Sequence, residues 1–269
     1  MTENERQRVI HFLRELDDAC CDRREHFAGG VATLSDRELA RVMTMNQLRV
    51  ELLAERLSVK ELRAETERLA AEAERLLGSL YFRRIVAYDE EIGARLALGF
   101  EQMEDWATER VVLMAQHRPL DRAVDTSFVR EVDLEQLEPV RTRFLRDRVV
   151  GDEERVRQEV VVARRLAAVG ELLCFAAAVG DEIVSFCELY SDDSGVAVIR
   201  SVATLAEHRG KGFARATISR ALARSHSLAH DLTFLRAVHA DWPKNLYGRL
   251  GFDAIGMMYR FTRRLSQSD

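Results

Sequence analysis

An apolar run ending in Val202-Ala203-Thr204-Leu205 passes through Arg209-Gly210-Lys211-Gly212 directly into helix-forming sequence. A strand that enters a helix through glycines lets the backbone approach a ligand closely. The free N–H groups of the helix start converge there, and the helix dipole favours negative charge. Arg209 and Lys211 add two cations at the same place, so the turn reads as a cradle for a phosphate-bearing ligand. Spacing narrows the choice. A Walker A loop has its Lys after the second glycine and a Ser or Thr behind it, whereas Lys211 lies between the glycines. A dinucleotide turn needs a third Gly or an Ala five residues after the first, and counting from Gly210 that position is Arg215.

What remains is Arg209-x-x-Gly212-x-Ala214, which resembles the acyl-CoA pyrophosphate loop of the GNAT N-acetyltransferase superfamily. Downstream, Leu246-Tyr247-Gly248-Arg249-Leu250-Gly251-Phe252 follows the apolar run Leu232 to Val238. That L-Y-x-x-x-G-F pattern resembles the GNAT segment in which a helix after the fifth strand packs beside the coenzyme. Both motifs stand in the family's order. The resemblance implies an α/β fold of the α+β kind, with a mixed sheet, and acetyl-CoA as co-substrate.

The rest of the C-terminal half agrees with that order. Pro119 and its polar neighbours between Gln116 and Thr126 mark a boundary. Beyond it the patterning predicts a strand at 128–132, helices at 134–147 and 153–169, and strands at 172–179, 182–190 and 196–204. A helix from Lys211 to Ser227, a strand at 232–238, a helix near 243–250 and a strand at 254–262 complete the set.

The N-terminal half carries a repeat. A shift of 152 residues places Leu80, Phe82, Arg84, Val86, Asp89, Leu98, Gly99 and Phe100 on identical residues between Leu232 and Phe252. A single ungapped offset points to a second copy of one structural unit. The copy is degenerate: Ser58-x-x-Glu61, a capping box, opens its helix where the glycine loop should be, and Arg95 stands in the place of Tyr247. By the repeat, Met43 to Glu51 should be the strand before the lost loop. The expected domains are a degenerate GNAT-like unit at 1–118 and a catalytic one at 127–269. Leu62, Leu69 and Leu76 form a stripe suited to core or to dimerisation, so a monomer or a homodimer is expected.

By the resemblance, backbone groups of Val202, Ala203 and Thr204 pair with the pantetheine arm. Arg209, Gly210, Lys211, Gly212, Phe213 and Ala214 take the pyrophosphate. Tyr247 touches the coenzyme sulfur and is the candidate general acid, because a phenol of pKa about 10 is neutral at pH 7 and suited to protonate a thiolate of pKa about 8.5. His239, beyond the fifth strand, and Glu188, in the third, are candidates for the base, beside a water chain. Seven residues before Tyr247 the family often has a coenzyme-contacting Asn; here that residue is Ala240, and Asn245 is the nearby amide.

Composition excludes other classes. A net charge of −5 lacks the basic footprint of nucleic-acid binders. No apolar run approaches the roughly 18 residues of a membrane span, and Met1-Thr2-Glu3-Asn4-Glu5 does not read as a signal peptide. Cys20, Cys21, Cys174 and Cys187 have no metal-ligand spacing. The expectation is a cytoplasmic N-acetyltransferase acting on a small-molecule amine, with no metal, no nucleic acid and no membrane partner. Protein amino groups as acceptors, and a non-catalytic acyl-CoA sensor, are the alternatives. The arginines of the first two helices of the C-terminal half (Arg141, Arg143, Arg146, Arg148, Arg155, Arg157) suit either an anionic substrate or a solvated face.

Overall fold

Local sequence sets the element ends. The computed structural model describes residues 3–265. Helix α1 (Glu3–Cys20) opens on two acids, which suit a helix N-terminus. Strands β1 (Arg23–Phe27), β2 (Gly30–Leu34) and β3 (Gln47–Val50) follow. Helix α2 (Val59–Leu77) starts at the expected capping box, in which Ser58 Oγ accepts from Glu61 N and the Glu61 carboxylate accepts from Ser58 N. Next come β4 (Phe82–Ala87), α3 (Glu90–Phe100) and β5 (Ala107–Gln116). The second series is β6 (Val129–Val132), α4 (Leu134–Arg148), α5 (Glu153–Ala167), β7 (Glu171–Val179), β8 (Glu182–Ser191) and β9 (Val196–Thr204). It ends with α6 (Phe213–Ser227), β10 (Leu232–Val238), α7 (Pro243–Arg249) and β11 (Phe252–Arg264).

Most boundaries lie within about two residues of the sequence reading, and two of the differences have a clear local cause. Met43–Met45 is a short 3-10 turn, and only Gln47–Val50 is extended. Asn46 explains this: its side chain donates to the carbonyls of Leu39 and Val42 and accepts from Ser35 N, bonds that hold the chain in a turn. Helix α6 begins at Phe213 instead of Lys211, because Gly210 and Gly212 both have left-handed φ, +76° and +89°.

The chain forms two compact units, each interrupted in sequence. One comprises Leu13–Leu113, Val238–Asp241 and the chain from Gly256 onward. Its strands run β1-β2-β3-β4-β11, antiparallel except for the parallel step from β3 to β4. Helix α2 lies on β3 and β4 and buries Leu62, Leu69 and Leu77 in a core with Leu48, Ile85 and Phe100. Phe100 stacks on Phe261 at 4.5 Å. The leucine stripe of α2 therefore lies in its own core, with Leu76 partly buried against it.

The other unit comprises the chain up to Phe12, Met114–Ala237 and Trp242–Ile255. Its strands run β10-β9-β8-β7-β6, with β10 parallel to β9 and the others antiparallel. Phe12 meets Tyr190 and Phe234 edge-on at 5.8 and 5.5 Å, and Arg8 pairs with Asp231, which ties α1 to this unit.

Described separately, the units repeat one topology: two antiparallel hairpin strands, a third strand, a helix, a parallel strand and a short helix. The 152-residue offset extends to hydrogen-bond register. Phe27 pairs with Gly30 at the tip of the first hairpin, and Val179 pairs with Glu182 at the tip of the second.

Candidate functional site

The site of the second series grows from β9. Ser201 has a φ of +51°, and the β8–β9 register slips between Phe186 and Glu188, so β9 carries a bulge there. A non-glycine residue held left-handed costs about 1–3 kcal/mol and persists where its surroundings over-determine it. Past the bulge, Ser185 Oγ donates to Ala203 O at 2.8 Å and lies 2.9 Å from Thr204 Oγ1. Leu205 is buried, and its N–H donates to Val184 O, which ends the strand.

A 3-10 turn at Ala206–His208 then leads to the glycines. Arg209 Nε donates back to Thr204 O at 3.2 Å, closing the loop on itself. Phe213, the first residue of α6, is fixed edge-on by Phe128 at 5.9 Å and by His208 at 6.0 Å. Gly212 is the N-cap, and no side chain caps the helix; the first intrahelical bond runs from Ala216 N to Gly212 O. The amides of the first turn thus have no intrahelical acceptor. A Cβ built at Gly210 or Gly212 meets nothing within 4 Å, so the cradle is open. Arg209 and Lys211 are exposed beside it.

Arg215, in the first turn of α6, is buried and pairs with Asp121, which holds it apart from the cradle cations. The same bond keeps the Asp121 carboxyl below its usual range. The 117–121 segment is anchored further on: the N–H groups of His117 and Arg118 both donate to Gly251 O. Gly251 has a φ of +86°, and a Cβ there would stand 1.9 Å from Arg118 O. No other residue type fits that place in the L-Y-x-x-x-G-F motif.

Tyr247 is buried on α7, with its ring 6.3 Å from Phe252. Pro243 takes the first position of this helix, and Asn245 is exposed on it. Val202 to Ala214, Tyr247 and Asn245 therefore fall in one unit. His239 is exposed and falls in the other, where its N–H donates to Arg110 O. Ala240 is exposed as well.

Glu188 does not use a solvated face: it is fully buried, between Arg141 of α4 and Arg200 of β9. These arginines lie 47 and 12 positions from it in sequence, so no local pattern announces the cluster. The other arginines of α4 and α5 are mostly neutralised by acids. Arg143 pairs with Glu182 and Glu207, Arg146 with Glu153, Arg155 with Glu159 and Arg157 with Glu154, while Arg148 lies over the Phe144 ring. That pairing favours the solvated-face reading over an anionic substrate. Burial pushes the thiols of Cys174 and Cys187 up, to about 11 and about 12, which makes them inert packing groups.

The degenerate copy differs where chemistry would sit. Ser58 and Glu61 seal the start of α2, and the Glu61 carboxylate puts negative charge where a phosphate would go. Arg95 donates to Ala54 O in the turn before that helix. Gly99 is retained for another reason: it is helical, and a Cβ there would meet Thr66 at 2.5 Å.

Comparison with known proteins places this geometry. Residues 137–252 match the acetyltransferase (GNAT) family model. No curated protein matches the chain. A conserved protein of unknown function from Staphylococcus epidermidis superposes with a TM-score of 0.62 at 15% identity, covering 90% of this chain and 93% of that one. A GCN5-related N-acetyltransferase from Kribbella flavida gives 0.58 at 14% identity, over 97% and 96% of the two chains. A tandem GNAT protein from the clavulanic acid biosynthesis pathway gives 0.53 at 15%, over 89% and 79%. At these identities the superpositions show the fold, and the family model locates the acyl-transfer domain. Among the described residues, no helix is long and apolar enough to cross a membrane. Residues 137–252, in the second series, thus match the acetyltransferase (GNAT) family, and the fold of the chain is shared with a tandem GNAT protein.

Proposed function

We propose that the protein transfers an acetyl group from acetyl-CoA to a primary amine of a small molecule. The observation that carries this is the uncapped start of α6 behind two left-handed glycines, open to solvent and flanked by Arg209 and Lys211. Unmatched amides, a helix dipole and two cations suit a pyrophosphate. On this reading the amides of Gly210 to Ala214 hold the pyrophosphate, and backbone groups of Val202 to Thr204 hold the pantetheine arm. The exposed side chain of Asn245 lies on the same helix as Tyr247 and is assigned to the coenzyme.

Acetyl-CoA supplies the acyl group in activated form, as a thioester. The protein's part is orientation, charge stabilisation and a proton. A backbone N–H of the Val202–Thr204 segment donates to the acyl oxygen as its charge grows, an effect worth about 3 kcal/mol in other acyl transfers. Tyr247 Oη holds the proton that the departing sulfur requires. The incoming amine loses its own proton through water. We place the activity in the cytoplasm, with the acceptor's identity left to the screen below.

The test is a thermal-shift titration with acetyl-CoA, CoA, ATP and NAD on the wild type and on Gly212→Asp. At a hundred times its dissociation constant a ligand adds about 2.7 kcal/mol of stability. A shift with the CoA species that is lost in the variant supports the reading and directs a screen of amines for thiol release. No shift with either CoA species overturns it. Binding without thiol release on any amine would identify a sensor, and release only with peptides a protein acetyltransferase.

A further inference from the structure

The cluster around Glu188 has a part in acyl transfer beyond that of a base, and the inference rests on the acetyltransferase reading above. Glu188 lies mid-strand in β8, opposite Cys174 of β7 and Arg200 of β9. Its side chain is 0% exposed, and those of Arg141 and Arg200 are 6% and 21% exposed. One carboxylate oxygen meets the Arg141 guanidinium, and the other lies 3.2 Å from Arg200 Nε. Arg141 also covers the Phe186 ring at 5.6 Å, beside the apolar Leu137, Val140 and Ala176. A buried carboxylate between two guanidiniums is held by charge on both sides and shielded from water.

The partners of this carboxylate are placed to matter. Arg200 immediately precedes Ser201, the left-handed residue at which β9 bulges. Every residue assigned to the coenzyme arm, Val202 to Thr204, follows that bulge. Arg141 comes from α4, whose Arg143 also pairs with Glu182 and with Glu207 in the turn before the cradle. One helix thus holds β9 at the bulge, through Glu188, and again beside the glycines.

We propose that Glu188 is a positioning residue. Through Arg200 it holds the Ser201 bulge, and through Arg141 it ties that bulge to α4, so that Val202–Thr204 present their backbone to the acyl group in one geometry.

The experiment uses the full chain. Glu188→Gln keeps the size but leaves two guanidiniums facing a neutral amide, so Glu188→Gln/Arg141→Met, which restores the net charge of the cluster, is made beside it. Amide exchange read by mass spectrometry is the first measurement, because it requires no turnover. In the double variant the 201–205 segment is expected to exchange about tenfold faster than in the wild type, while the α6 amides do not change. The second measurement is thiol release from acetyl-CoA with spermidine or a lysine peptide as acceptor. There kcat is expected to fall about tenfold with the KM for acetyl-CoA and the shape of the pH profile unchanged. Wild-type exchange at 201–205 overturns the proposal, as does loss of the acidic limb of the pH profile, which would make Glu188 a base. If the double variant does not fold, Arg200→Lys is judged by the same exchange criterion. A wild type that acetylates no amine defeats the acetyltransferase reading, and the exchange result still decides whether Glu188 holds the bulge.

Discussion

Arg95 donates a 2.6 Å hydrogen bond to the carbonyl of Ala54, so the first copy closes with a guanidinium the turn that in the second carries two left-handed glycines. Tyr247 occupies the corresponding motif position in the second copy. Ser58 Oγ takes the Glu61 amide and the Glu61 carboxylate stands at the helix start, so the first copy presents negative charge where an anion would bind. Acetyl-CoA should bind once per chain, and Gly212→Asp should abolish that binding entirely. Isothermal titration checks both, and a stoichiometry of two would mean that the first copy retained a site.

Tyr247→Phe removes one hydroxyl from a buried ring and leaves its contact with Phe252 in place. A general acid is worth about a hundredfold or more in rate. The variant should lose kcat by that order, with the KM for acetyl-CoA changed by no more than about twofold. Steady-state kinetics across pH would show it, and an unaltered kcat would assign the proton to another donor.

Gly212→Ala separates conformation from charge. Nothing lies within 4 Å of the added methyl, so the only penalty is the left-handed φ of +89°, about 1–2 kcal/mol. The alanine variant should melt lower yet still respond to acetyl-CoA, whereas Gly212→Asp should not respond. Thermal shifts of the two variants side by side make the comparison.

Asp121 and Arg215 set an acid limit for this unit. Hydrogen bonds from Arg215 hold the Asp121 carboxyl below its usual value of 3.8. A carboxyl depressed by folding contributes stability that is complete above the unfolded value and is lost as pH falls through the folded one. Asp121→Asn should therefore lower Tm at pH 7, since it leaves a buried guanidinium without its charge partner. The two melting curves should begin to approach each other only below about pH 4 and meet as pH falls past the lowered folded value. Calorimetry at a series of pH values is the check.

Ser58→Ala addresses the first copy. Loss of an N-cap costs about 1 kcal/mol, which lowers Tm by about 2–4 °C in a chain of this size. Acetyl-CoA binding should not change, because the Ser58 cap lies in the copy without a cradle. An effect on affinity would be evidence against a single site.

Much of this protein was legible from local chemistry. Gly210 and Gly212 between a strand and a helix carry the cradle in their own backbone freedom, and Ser58 with Glu61 announces a sealed helix start in the same way. The 152-residue offset was visible because identical residues kept their spacing in both copies. Asn46 shows where local reading stopped: the repeat assigned Met43 to Glu51 to a strand, and side-chain bonds to Leu39, Val42 and Ser35 made its first part a turn.

Tertiary structure alone decided which charges meet. Glu188 alternates along an apolar strand with nothing nearby in sequence to show which face it takes, and packing of α4 and β9 placed it between Arg141 and Arg200. The same holds for the Asp121–Arg215 pair and for the left-handed Ser201. The physical reason is range. Backbone conformation, capping and glycine geometry act over a few residues and are written in adjacent letters. Burial and ion pairing act through space, between residues that only the folded chain brings together.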